Sequence, residues 1–112
     1  MKITVQSIHF NADRKLLDFI QRKTEKLDQF FDQILSAEVY LRLEKTEDEQ
    51  NKIVEIKLTL PRTQLFSKEQ CKSFEEATDL SIESLRRQID KHKAKSRAVV
   101  AGSRTESQLV EE

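Results

Sequence analysis

The sequence predicts an α+β domain in the order β-α-β-β-β-α, a four-stranded sheet with two helices packed on one face. Three observations carry that expectation. Four short stretches alternate apolar and polar side chains with the two-residue period of a half-buried strand. Two longer stretches repeat their apolar residues every three or four positions, the period of an amphipathic helix. Each helix has a single apolar stripe, and two such stripes are most simply buried on one face of one sheet. At 112 residues the chain can bury one core and not two.

Lys2 to Ser7 alternates, with Ile3 and Val5 on one side and Thr4 and Gln6 on the other, and forms the first strand. Asp13 is a suitable N-cap. Beyond it Leu16, Ile20, Thr24, Leu27 and Phe31 mark a helix that reaches Phe31. Ile34 to Glu44 alternates through Ala37, Val39, Leu41 and Leu43, and after the charged connection KTEDEQN the pattern resumes at Ile53, Val54, Ile56, Leu58 and Leu60. These are two antiparallel strands joined by a hydrophilic loop. Pro61 ends the second, because it has no N–H for a ladder.

Gln64 to Cys71 alternates more weakly and makes a fourth strand. Ser73 and Glu76 then form the S-x-x-E capping box that opens a second helix, with Phe74, Thr78, Ile82, Leu85 and Ile89 along its apolar face. Residues 1–96 make up this domain. Residues 97–112 lack sustained periodicity and read as a flexible C-terminal tail.

Hydrophobic residues are 37% and charged residues 36% of the chain, against about 45–50% and 25% in ordinary domains, so the surface is densely charged. The formal net charge of zero hides segregation. Residues 1–85 hold 13 Lys/Arg and 16 Asp/Glu, residues 86–104 hold 7 and 1, and residues 105–112 hold none and 3. A binding partner senses this local potential and not the sum.

On a helical wheel with Leu85 at zero, Arg86, Lys93 and Arg97 fall at about 80–120° and Arg87, Lys91 and Lys95 at about 200–280°, two basic arcs flanking the core stripe. On the first helix, Lys15, Arg22 and Lys26 lie on one flank, and Asp18, Glu25, Asp28 and Asp32 on the other. If the basic flank faces the second helix, the two make one continuous positive groove with the acidic residues turned away. Cations in a helix's last turns also complement its macrodipole, and a charge run can be no more than a solvated face. Six cations with one Asp between Leu85 and Arg97 exceed what capping needs, and their mutual repulsion points to a polyanion.

Other chemistries are disfavoured. Cys71 stands alone, so it supports neither an intramolecular disulfide nor a thiolate cluster. It reads as a strand residue and not a nucleophile, since no base accompanies it. His9 and His92 have no Cys or carboxylate at metal-ligand spacing; His92 reads as half-buried or as a phosphate donor. One Gly rules out a Gly-rich phosphate loop. Phe30 and Phe31 read as core residues next to Leu27, and with no Trp and a single Tyr there is no base-stacking platform. The expectation is therefore a non-enzymatic protein with no cofactor, no metal and no small-molecule substrate. No apolar stretch has the length of a signal peptide or a membrane span, which predicts a cytoplasmic protein.

The element order, KLDQFFD (Lys26 to Asp32) at the end of the first helix, and SFEEATD leading to LRRQIDKHKAK in the second, resemble the short-form ribosome hibernation-promoting factors, also called ribosome-associated inhibitor or sigma-54 modulation proteins. The resemblance covers about residues 1–96. It implies a bacterial factor that binds the small ribosomal subunit and its rRNA in the mRNA/tRNA channel near the decoding centre and keeps idle ribosomes inactive.

It also implies that Arg87, Lys91, His92, Lys93 and Lys95, and Lys26 of the first motif, contact RNA backbone. Arg86, Arg22, Lys15 and Arg97 join them on the helical-wheel argument alone. Ser84 and Glu83 depart from the family's Lys and Asp, a lost cation that Arg86 can replace. Short-form members lack the second domain that pairs ribosomes, so any pairing needs a separate dimerising factor. An alternative from another class is a protein-interaction module that holds a basic partner through its acidic flank or open sheet face.

Overall fold

In the computed structural model, which describes the backbone of residues 1–101 and the side chains of residues 1–95, the chain folds as β1 (Lys2–Ile8), α1 (Arg14–Glu25), a 3₁₀ turn (Lys26–Gln29), β2 (Ser36–Leu43), β3 (Lys52–Leu60), β4 (Thr63–Cys71) and α2 (Phe74–Ala101). The strands form one mixed sheet in the order β1-β2-β3-β4. β1 and β2 are parallel, as a crossover through α1 requires, and the other two pairs are antiparallel.

Register sets which side chains meet the helices. Ile3 pairs with Ala37, Ala37 with Leu58 and Leu58 with Leu65, and two residues along come Val5, Val39, Ile56 and Ser67. Ala37, Val39, Leu41, Val54, Ile56 and Leu58 are fully buried here, joined by Leu16, Ile20 and Leu27 from the first helical segment and Ala77, Leu85 and Ile89 from α2. Burying a side chain of this size contributes about 1.5–3 kcal/mol, so this layer carries the fold.

Both helices begin as their sequences dictate. The Asp13 carboxylate accepts from the Leu16 N–H at 2.8 Å, and the Ser73 hydroxyl accepts from the Glu76 N–H at 3.1 Å. The first helix does not stay α-helical to Phe31: it ends at Glu25 and tightens into the 3₁₀ turn, with the N–H groups of Phe30 and Phe31 both directed at the Leu27 carbonyl (3.0 and 3.2 Å). The Thr24 hydroxyl donates to the Ile20 carbonyl at 2.7 Å just before this change. Such back-bonding competes with the helical ladder and bends it. α2 runs to Ala101, past the expected start of the tail, while residues 102–112 lie outside the described residues.

One further departure, at Leu43, follows from the sheet. Leu43 keeps the alternation of β2 yet is 46% exposed, because β1 ends in register with Arg42 and leaves Leu43 without a neighbour on that side. Ile53 points to the opposite face from Val54 and is nevertheless buried. It pairs with Gln70, whose amide reaches Glu44 and the Gln50 carbonyl at 2.7 Å each and draws the loop over that end of the sheet. β3 and β4 are joined by Pro61 and Arg62 alone, with Arg62 at φ 73°, a left-handed turn position usually given to Gly.

Candidate nucleic-acid interface

The helix layer is where the predicted site residues gather. Lys23 of α1 lies 3.1 Å from Asp79 of α2, and Lys15 and Arg22 line a groove with Asp18, Phe19, Gln21 and Glu75. Lys26 borders an adjoining hollow with Phe19, Arg22 and Lys23. The basic flank of α1 therefore does turn towards α2. The groove is not continuously positive, however: Glu75 and Asp79 line the N-terminal half of α2, and Asp18 is not turned away from Lys15 and Arg22. The expected uniform groove is corrected to a graded one, mixed at one end and cationic at the other, because the acidic residues of α2 all precede Leu85 except Asp90.

At the cationic end, Phe30 meets α2. The Arg86 guanidinium sits over the Phe30 ring, 4.4 Å from its centroid, and the Lys93 ammonium donates to the Phe30 carbonyl at 2.9 Å. His92 is half-buried and meets the Phe31 ring edge-on at 5.5 Å between centroids. Phe30 and Phe31 both pack against the core. The Phe30 ring thus also serves as a seat for Arg86, a pairing that a reading of each helix alone does not reveal.

The second arc is different. Arg87, Lys91 and Lys95 are exposed and follow one another at i, i+4 spacing along α2. Like charges at this spacing oppose the helix by about 0.2–0.5 kcal/mol per pair. Arg87 has one counter-charge, Glu83 at 3.6 Å on an equally open surface, while Lys91 and Lys95 have no ion-pair partner among the described residues. Gln88, on the same side, donates to the Phe66 carbonyl of the edge strand β4 at 2.9 Å, which ties this arc to the sheet margin. The backbone of Arg97 lies in α2, but its side chain is outside the described residues.

Lys23 is a cation that the wheel argument left out. It lies between the basic flank and the core stripe, bridging to Asp79 and standing 5.5 Å from the Phe19 ring centroid. Its position beside the stripe is the only sequence signal for that role.

The outer face of the sheet holds its charges in internal pairs. Glu55 lies between Arg42 (3.3 Å) and Lys68 (3.9 Å), and Glu38 accepts from Tyr40 at 2.8 Å with Lys57 at 3.5 Å. Tyr40 and Lys57 together hold the Glu38 carboxyl below its usual range, and the same hydrogen bond holds the Tyr40 phenol above its own. Burial pushes the Cys71 thiol up, as suits a residue at the covered end of β4. Among the described residues there is no group of three His, Cys, Asp or Glu placed to hold a metal ion, and no helix long and apolar enough to cross a membrane.

Fold and surface together define a small α+β domain whose helix layer carries the cations and whose sheet carries paired charges. The chain belongs to the sigma 54 modulation protein / S30EA ribosomal protein family, whose model matches residues 3–97. It is 24% identical over 103 residues to the ribosome hibernation promoting factor of Pseudomonas putida, covering 92% of this chain and 97% of that protein. It is 30% identical over 97 residues to the ribosome hibernation promotion factor of Bacillus subtilis, covering 85% of this chain and 50% of that longer protein. The fold is shared with a ribosomal subunit interface protein from Coxiella burnetii (TM-score 0.76, 20% identity, 84% of this chain and 99% of the other). It is also shared with the N-terminal domain of Thermus thermophilus Protein Y (TM-score 0.70, 22% identity, 82% and 99%). Ribosome hibernation factors are not a class of enzymes.

Proposed function

We propose that this chain is a non-enzymatic hibernation factor that binds small-subunit ribosomal RNA in the mRNA/tRNA channel near the decoding centre and keeps idle ribosomes inactive in the cytoplasm. The observation that carries the reading is the exposed ladder of Arg87, Lys91 and Lys95, whose mutual repulsion a row of phosphates relieves. The names of its relatives, hibernation factors and a subunit interface protein, support the same target. Residues 1–96 serve as the binding domain and 97–112 as its tail, with Lys15, Arg22, Lys26, Arg86, Arg87, Lys91, His92, Lys93, Lys95 and Arg97 as the contacts. Recognition is by shape and charge, since phosphate contacts position a protein without reading sequence.

A basic protein partner is less well served, because the carboxylates of the sheet face are already paired with Arg42, Lys57 and Lys68. Sucrose-gradient sedimentation of stationary-phase ribosomes tests the reading. The protein is expected in the small-subunit and intact-ribosome fractions, displaced by added RNA and by salt; its presence only at the top of the gradient would overturn it.

A further inference from the structure

We propose that Phe30 is a positioning residue of the RNA-binding face: its ring seats the Arg86 guanidinium and its carbonyl seats the Lys93 ammonium, so that two cations of α2 are held in place before RNA arrives. The role rests on the RNA-binding reading above. Phe30 closes the 3₁₀ turn at Lys26–Gln29, where a helix end leaves carbonyls without partners inside the helix. One such carbonyl is that of Phe30, and Lys93 reaches it from 63 residues along the chain at 2.9 Å.

Neither cation is used up by its seat. An ammonium has three donors, so Lys93 keeps two for phosphate. A guanidinium attracted by a ring face keeps its in-plane N–H groups, the ones that bind phosphate oxygens in pairs. Arg86 is exposed and Lys93 half-buried, so both stay within reach of a ligand. The turn from α to 3₁₀ geometry after Glu25 is thus part of the site, since it carries Phe30 to α2. Immobilising a long side chain on binding costs affinity, and a cation already held avoids a loss of about two- to tenfold.

The first test needs no variant. In the free wild-type protein, side-chain ¹⁵Nε relaxation should show Arg86 more ordered than Arg87, whose one ion-pair partner among the described residues is the exposed Glu83; equal mobility overturns the proposal. In the second, Phe30→Leu keeps an apolar side chain without a ring and Phe30→Tyr keeps the ring. Phe30→Leu should free Arg86 in the relaxation measurement and weaken binding to purified bacterial small subunits about two- to tenfold. Its slope of log affinity against log salt should be that of the wild type, because no charge is removed. Phe30→Tyr should restore both. Wild-type affinity in Phe30→Leu, or a shallower slope, overturns the positioning role. Absence of small-subunit binding by the wild type, with Arg86 ordered by Phe30, would instead overturn the RNA reading and leave the seat as a structural contact.

Discussion

The Lys23 ammonium lies 3.1 Å from the Asp79 carboxylate and ties α1 to the acidic half of α2. The pair is open to solvent, with the two side chains 33% and 53% exposed, so its worth to folding is below about 1 kcal/mol. Its larger effect is on the groove, where Asp79 places a negative charge beside the basic flank of α1. Asp79→Asn is expected to leave the thermal midpoint nearly unchanged and to raise the on-rate for small subunits at low salt. A large loss of stability, or slower association, would contradict this account.

Lys91 and Lys95 contribute charge and no packing, since both are exposed on the far arc of α2. Replacing both by Glu is expected to abolish co-sedimentation with ribosomes and leave the circular dichroism spectrum unchanged. Replacing both by Gln should retain weaker binding with a salt slope shallower by about one per lysine. Co-sedimentation as in the wild type by the Glu variant would remove this arc from the site.

Leu85 and Leu80 sit five residues apart on α2 and differ in what surrounds them. Leu85 is fully buried in the core and Leu80 is 41% exposed. Leu85→Ala should cost about 2–5 kcal/mol, through lost burial and the cavity left behind. Leu80→Ala should stay within about 0.5 kcal/mol. Urea unfolding of the two variants measures the difference, and similar losses would mean that α2 is docked by another face.

Glu38 and Tyr40 give the protein a pH signature. The carboxyl of Glu38 is lowered, so the stability from its ionised form is present at neutral pH and lost as pH falls through that lowered value. Tyr40 is raised, so the stability from its neutral phenol is complete below the ordinary tyrosine range and lost as pH rises through the raised value. Tyr40 is the one tyrosine and there is no Trp, which makes phenolate absorbance a direct probe. Its midpoint should lie above that of free tyrosine and return towards it in Glu38→Gln. Equal midpoints would mean that the 2.8 Å hydrogen bond does not persist in solution.

The caps at Asp13 and Ser73, the four strands and the apolar stripe of α2 were legible because each is a local pattern: an oxygen three residues before an N–H, or a period of 2 or 3.6. The end of the first helix was not. Its spacing of Leu27 and Phe31 suits an α-helix, and the 3₁₀ turn wins where the Thr24 hydroxyl competes for the Ile20 carbonyl. Leu43 departs from its pattern for a related reason, since its exposure depends on where β1 stops.

The candidate site divides in the same way. Its two basic arcs are set by residue order on one helix, and so the chain's linear order already contained them and the segregation of charge behind a neutral sum. That Lys91 and Lys95 stay open while Arg86 and Lys93 are seated on Phe30 was decided only when the helices packed side by side. That packing set Arg86 and Lys93 against Phe30 and Asp79 against Lys23, contacts between residues 56 to 63 positions apart. No helical wheel carries such pairs, because they arise from the shared burial of two apolar stripes on one sheet face and not from the periodicity of either helix.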